Sequence, residues 1–326
     1  MQSLYPFKLK PIFKDKIWGG QKIRQHLQLD FGNLPNCGEA WLVSGVEGNP
    51  TIITNGYLAG NELNEIVEVF MGDLVGDRVY DRFGDVFPIL VKVIDSNDWL
   101  SIQVHPDDAL AQKRKTGYGK TEMWYVMQAD ENAELIAGFN RPTDEKSYLE
   151  HLNSGKLKEI MNFEKVNQGD VFFIPAGRVH ALGPGTVIAE IQQTSDTTYR
   201  IYDWDRMDHL GQMRELHTEE ALEAIDYTIH DSYKTSYRIT ENKTEKVISS
   251  DFFTTNILKF SEPIRKDYSE LDSFVILMCT EGSFELKWED QSYNLKKAET
   301  MLLPNLVKNI KLFPAENCTL LEVYIA

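Results

Sequence analysis

Apolar and polar residues alternate in short runs along most of the chain, and this period-two pattern predicts many strands with only a few helices between them. Residues 4–13 open as a strand, and Trp18, Gly19 and Gly20 turn the chain into a short helix over residues 21–27. Residues 38–44 alternate small or polar with apolar side chains, as a strand on a half-buried sheet does. Leu63, Ile66, Val67 and Phe70 fall at helical spacing, which predicts a helix over 62–71 with Asn61 as its cap. Residues 87–94 read as a strand, 95–98 as a turn and 99–105 as the returning strand, an antiparallel hairpin. Within the returning strand Ser101, Gln103 and His105 share one face, with Ile102 and Val104 on the other. Glu122 leads the next strand, residues 123–127, after a loop rich in Lys and Gly. Residues 141–165 carry a helical pattern on both sides of Gly155. The strand over 186–192 carries Glu190, the one over 194–202 carries Asp196 and Arg200, and a helix follows near 218–224. From about residue 240 the pattern is strands alone.

Composition narrows the setting. At 326 residues the chain is long enough for two domains, since single cores stop growing near roughly 250 to 300 residues. Forty-two per cent hydrophobic residues and a mean hydropathy of -0.36 leave no run near the roughly 20 residues that a bilayer needs. The first 16 residues lack the continuous apolar core of a signal peptide, so a cytoplasmic protein is expected. Cys37, Cys279 and Cys318 are odd in number and scattered, which argues against a disulfide framework or a thiolate zinc site. A net charge of -16 without a basic block argues against nucleic acid, while leaving room for an anionic small molecule held by a few local cations.

The chemistry gathers around GDVFFIPAGRVHALG, residues 169–183, a strand, a tight turn at Pro175-Ala176-Gly177 and a second strand. Gly169, Pro175 and His180, in that spacing, resemble the second sequence motif of the cupin β-barrels, whose histidine points inward and binds a metal. Gln103, His105 and Glu122 supply partners upstream. Together with His180 they make two imidazoles, a carboxylate and an amide oxygen, a set suited to zinc, iron, manganese or cobalt. The helical insert is then expected outside the barrel. Residues 273–278 align with 122–127, and Ala298, Pro304 and Asn309 repeat the spacing of Gly169, Pro175 and His180, with Ser273 and Asn309 in place of the ligands. The expected fold is therefore mainly β, two cupin (jelly-roll) barrels: a metal-binding domain with helical inserts over 1–238 and a degenerate one over 239–326.

SIQVHPDD, KTEMWYV, GDVFFIPAGRVHALG and QQTSDTTYRIYDWDR, with GEAW and WGG nearer the start, resemble the signature segments of type I mannose-6-phosphate isomerase in its shorter bacterial form. That resemblance implies one zinc ion held by Gln103, His105, Glu122 and His180. It further implies interconversion of mannose 6-phosphate and fructose 6-phosphate through an enediol, with Arg200 essential and Ser101, Lys120, Glu190 and Asp196 lining the site. Arg206 stands where larger relatives have lysine, which keeps charge but changes geometry. Glu190 is the first candidate for the base, with Lys120 or a water on the metal as alternatives. Asp196 is expected to position Arg200, and Ser101, Lys120 and Arg206 to hold phosphate oxygens. The chain is expected to work as a monomer or weak homo-oligomer. Two rival readings are an iron-dependent cupin dioxygenase and a sugar-phosphate-binding cupin without catalysis.

Overall fold

The computed structural model describes residues 3–207 and 211–326, and the short antiparallel strand is its recurring element. The chain forms two units, one of Phe13–Ala40 and Val93–Thr235, the other of Met1–Ile12, Trp41–Lys92 and Ser236–Ala326. Whereas the expected domains divide the sequence once, after residue 238, these units interleave along it. No helix among the described residues is long and apolar enough to cross a membrane.

In the first unit Val171–Ile174, Glu122–Ala129 and Thr186–Gln193 are neighbours in one sheet. A second sheet runs Tyr199–Tyr202, Ile102–Val104, His180–Leu182, Glu134–Phe139, Met161–Lys165. Trp124, Val126, Phe172 and Ile188 from the first sheet meet Leu135, Ala137 and Leu182 from the second in one core. Each such side chain contributes about 1.5–3 kcal/mol through its removal from water. On its other face the second sheet presents Ile102, Val104, Ala181 and Ile201, covered by Tyr148 of helix Glu145–Asn153, Leu157 and Ile160 of a 3-10 turn, and Ala221 of helix Thr218–Ala224. The helical insert thus packs outside the sheets, as its apolar stripe requires. Its tail, Met161–Lys165, was expected to be helical in part and instead adds an edge strand beside Glu134–Phe139.

The expected hairpin does not form. Ile89–Ser96 belongs to the sheet of Glu122–Ala129, whereas Ile102–Val104 lies in the other sheet, paired with His180–Leu182 and Tyr199–Tyr202. A turn between two apolar runs fixes their proximity, not their pairing, and here the chain crosses from one sheet to the other.

In the second unit Lys243–Ser249, Thr254–Phe260, Cys318–Tyr324, Val275–Glu281 and Thr300–Leu303 form one sheet, and Ile264–Asp267, Asn309–Pro314, Ser283–Trp288 and Gln291–Lys296 another. Leu258, Val275, Leu277 and Leu320 pack against Leu286, Ile310 and Leu312. The repeat read in the sequence is displaced here. Ile174 and Leu303 each precede a turn proline; the first pairs with Glu122 and the second with Val275, so Val275 rather than Ser273 is the counterpart of Glu122. Asn309 is exposed and Ile310 faces the core, so the position that answers to His180 offers no ligand. Cys279 and Cys318, far apart in sequence, bring their buried thiols to 3.9 Å.

Helix Leu63–Phe70 is capped by Glu62, not Asn61: the Glu62 amide donates to the Glu65 carboxylate at 2.9 Å in a reciprocal capping box. Two short helices, Gly72–Val75 and Asp77–Phe83, then meet at Gly76, whose φ of +94° suits only glycine. A Cβ there would stand 2.4 Å from the carbonyl oxygen of Asp272, whose carboxylate accepts from the amides of Asp77 and Arg78. Gly76→Ala is therefore expected to lower stability by about 2–4 kcal/mol, read as a lower urea midpoint with unchanged slope.

Candidate metal centre

Three neighbouring strands of one sheet set the floor of the site. Gln103 pairs with His180 on one side and with Arg200 on the other, so an amide, an imidazole and a guanidinium stand in one row. From the facing sheet Glu122 enters at the first position of its strand, opposite Ile174 and Gln192. The turn between them is tied to the third ligand strand: Gly177, at φ +89°, donates its amide to the carbonyl of His105 at 2.9 Å. The one close cluster of ligating side chains among the described residues is His105, Glu122 and His180, with ligand atoms within 4.8 Å of one another and all three residues buried.

Both imidazoles are turned by the main chain. His105 Nδ1 donates to the carbonyl of Thr197 at 2.9 Å and His180 Nδ1 to that of Arg178 at 2.8 Å. A carbonyl only accepts, so Nδ1 carries a proton in each ring and Nε2 is the atom turned to the centre. Those Nε2 atoms lie 3.5 and 3.3 Å from the two oxygens of Glu122. Burial, with the charge of Lys120 adding to it, pushes the His180 pKa down to about 4, so at neutral pH the ring is uncharged and able to ligate. Two imidazoles aimed at one buried carboxylate are a donor set that fits a divalent cation of borderline hardness. Gln103 Nε2 is 3.2 Å from His180 Nε2, and Ser101 Oγ donates to Gln103 Oε1 at 3.2 Å. Turning the amide over would exchange its nitrogen and oxygen and offer the oxygen to the same centre.

The remaining candidates divide. Lys120 is buried with its Nζ 3.5 Å from Glu122. Glu190 is buried beside Trp124, whose indole Nε1 donates to Glu190 Oε2 at 2.9 Å. Arg200 donates to the carbonyl of Glu215, while its buried Nε has no hydrogen-bond partner among the described residues. Burial lowers the Arg200 pKa, and the nearby Arg214 and Arg206 add to this, yet a guanidinium stays charged at neutral pH. Asp196 is exposed on the loop before Tyr199–Tyr202 and makes no ion pair with Arg200 among the described residues.

Arg206 is engaged by the protein itself. Its guanidinium donates to Asp203 at 2.6 Å, to the carbonyl of Trp99 at 2.6 Å and to Asp98 at 3.3 Å. Arg214 forks onto both oxygens of the same Asp203. Burial alone would raise the Asp203 pKa; the two arginines overcome it and hold the carboxyl below its usual range. Asp203→Ala leaves those guanidiniums facing one another and is expected to cost about 3 kcal/mol. Because the folded pKa is depressed, the carboxylate's contribution is complete above the ordinary value of 3.8 and fades as pH falls through the lower folded value. The wild-type and variant unfolding curves should accordingly converge in acid.

Trp124, Asp203 and Arg214 carry no signal in the sequence strong enough to single them out. Period-two spacing from Glu122 places Trp124 on the ligand face. The clustering of Asp203 with Arg214 depends on how the chain returns to the sheet.

A family model described as phosphomannose isomerase type I, catalytic domain, matches residues 6–152, and one described as mannose-6-phosphate isomerase, cupin domain, matches 242–325. The mannose-6-phosphate isomerase of Streptococcus mutans is 33% identical over 305 residues, 93% of this chain and 94% of that protein. Mannose-6-phosphate isomerase ManA of Bacillus subtilis is 33% identical over 327 residues, 96% of this chain and 97% of its own. A crystal structure of mannose 6-phosphate isomerase from Bacillus subtilis superposes with a TM-score of 0.86 at 33% identity, covering 99% of both chains.

Proposed function

The chain belongs to the type I phosphomannose isomerase family, and from that membership we infer that it interconverts mannose 6-phosphate and fructose 6-phosphate with a divalent metal at His105, Glu122 and His180. The observation that carries this reading is the convergence of two Nδ1-protonated imidazoles on one buried carboxylate. We propose zinc as the ion, in keeping with the nitrogen and oxygen donors and with the family resemblance, and Gln103 as a fourth ligand through its oxygen. Bound there, the ion supplies Lewis-acid stabilisation of the negative charge that an enediol places on the sugar oxygens, which removes several kcal/mol from the barrier.

The side chains supply the rest. Glu190 takes the proton from C2 of mannose 6-phosphate and returns it to C1, and the hydroxyl proton moves from O2 to O1 to leave the ketose. Its strand pairs with that of Glu122 in the same sheet, and the mechanism asks its one carboxylate to reach both carbons. Arg200, adjoining Gln103 in the strand register, holds the developing oxyanion or the phosphate. Lys120 adds a buried cation beside Glu122 and stands as the alternative base; Ser101 orients Gln103 and, with Lys120, accompanies the substrate oxygens. For Arg206 we propose an indirect part in phosphate binding, because its donors are taken by Asp98, Trp99 and Asp203. Asp196 is proposed to face the substrate from the loop edge rather than to hold Arg200.

A coupled assay of fructose 6-phosphate formation, run beside an oxygen electrode on zinc-loaded protein, tests the reading. Turnover of mannose 6-phosphate without oxygen uptake is expected; oxygen consumption with bound iron would make the chain a dioxygenase instead.

A further inference from the structure

Inward side chains of the strand Glu122–Ala129 follow one another as Glu122, Trp124 and Val126. Trp124 stands directly opposite Glu190 in the antiparallel register. Its indole Nε1 donates to Glu190 Oε2 at 2.9 Å, and its ring meets the His180 imidazole edge-on, centroids 5.3 Å apart and planes at 78°. A core tryptophan needs some acceptor for its N–H, and a backbone carbonyl would meet that need. Here the acceptor is the carboxylate assigned to proton transfer, and the same ring touches a metal-ligating histidine.

We propose that Trp124 is a positioning residue for the isomerisation: its indole N–H fixes the rotation of the Glu190 carboxylate so that the proton is taken and returned beside His180. This rests on the reading of Glu190 as the base. The indole N–H cannot accept a proton, so the bond favours the ionised carboxylate and restricts its swing to the arc that C1 and C2 require. A carboxylate left to rotate would spend much of its time away from the reacting carbons, and a displacement of that size costs up to about 10²-fold in rate.

The test is a double-mutant cycle on zinc-loaded enzyme with Trp124→Phe, Glu190→Gln and the pair. Trp124→Phe is expected to lower kcat by roughly 10–100-fold with KM within about twofold and the metal content per chain unchanged. In the Glu190→Gln background the same change is expected to cost less than about twofold, because the group it positions is gone. Should Trp124→Phe fail to fold, benzothienylalanine at position 124 keeps the bicyclic shape without the N–H and gives the same comparison. Wild-type kcat in a folded, zinc-loaded variant, or losses that multiply in the pair, would reduce Trp124 to core packing. Wild-type kcat in Glu190→Gln alone would instead remove Glu190 as the base, a separate failure visible before Trp124 is touched.

Discussion

His180→Ala loses its metal and, with it, about 10³-fold or more in kcat/KM. The ring supplies one of two nitrogen ligands, and its Nδ1 is held by the carbonyl of Arg178. What remains, His105 and Glu122 with the weakly ligating amide of Gln103, is a site of much lower affinity. Lewis-acid stabilisation worth about 4 kcal/mol corresponds to roughly 10³ in rate. Metal analysis of the dialysed variant and the coupled assay check the two halves separately. Chelation of the wild-type protein should give the same loss, reversed by zinc in the wild type and not in the variant. A variant that retains one ion per chain and full turnover would detach His180 from the centre.

Arg200→Ala keeps its metal and still loses about 10³-fold in kcat/KM. Its Cα lies across from Gln103, and neither histidine nor Glu122 depends on it for a hydrogen bond among the described residues, so the ion should stay. The lost interaction is charge-assisted and partly buried, worth several kcal/mol where it meets an anion. Arg200→Lys restores the charge without the fork and should recover only part of the loss. Metal content and the kcat/KM of the three proteins decide it; full activity in the alanine variant would take Arg200 out of the mechanism.

The cluster of His105, Glu122 and His180 was legible in the sequence because each member sits at a fixed offset from a strand end or a turn. Period two put Gln103 and His105 on one face, and Pro175 with Gly177 fixed where His180 begins its strand. Pairing was not legible. Residues 89–96 and 102–104 look like partners because a turn joins them, yet each finds its hydrogen bonds with strands far along the chain. The worn repeat misled for a related reason: the proline spacing was preserved while the facing changed by one residue, so Asn309 points outward. The surroundings of Arg206 were a third matter: Trp99 and Asp98, which accept from its guanidinium, are brought near only by the folded chain.

The acceptors that orient both imidazoles are peptide oxygens, those of Thr197 and Arg178. Every amino acid carries such an oxygen, so replacing the side chain at either position cannot delete the contact that aims the ring. The aim of this pair is set by the path of the backbone, and it survives any substitution at those two positions that leaves the loops on their course.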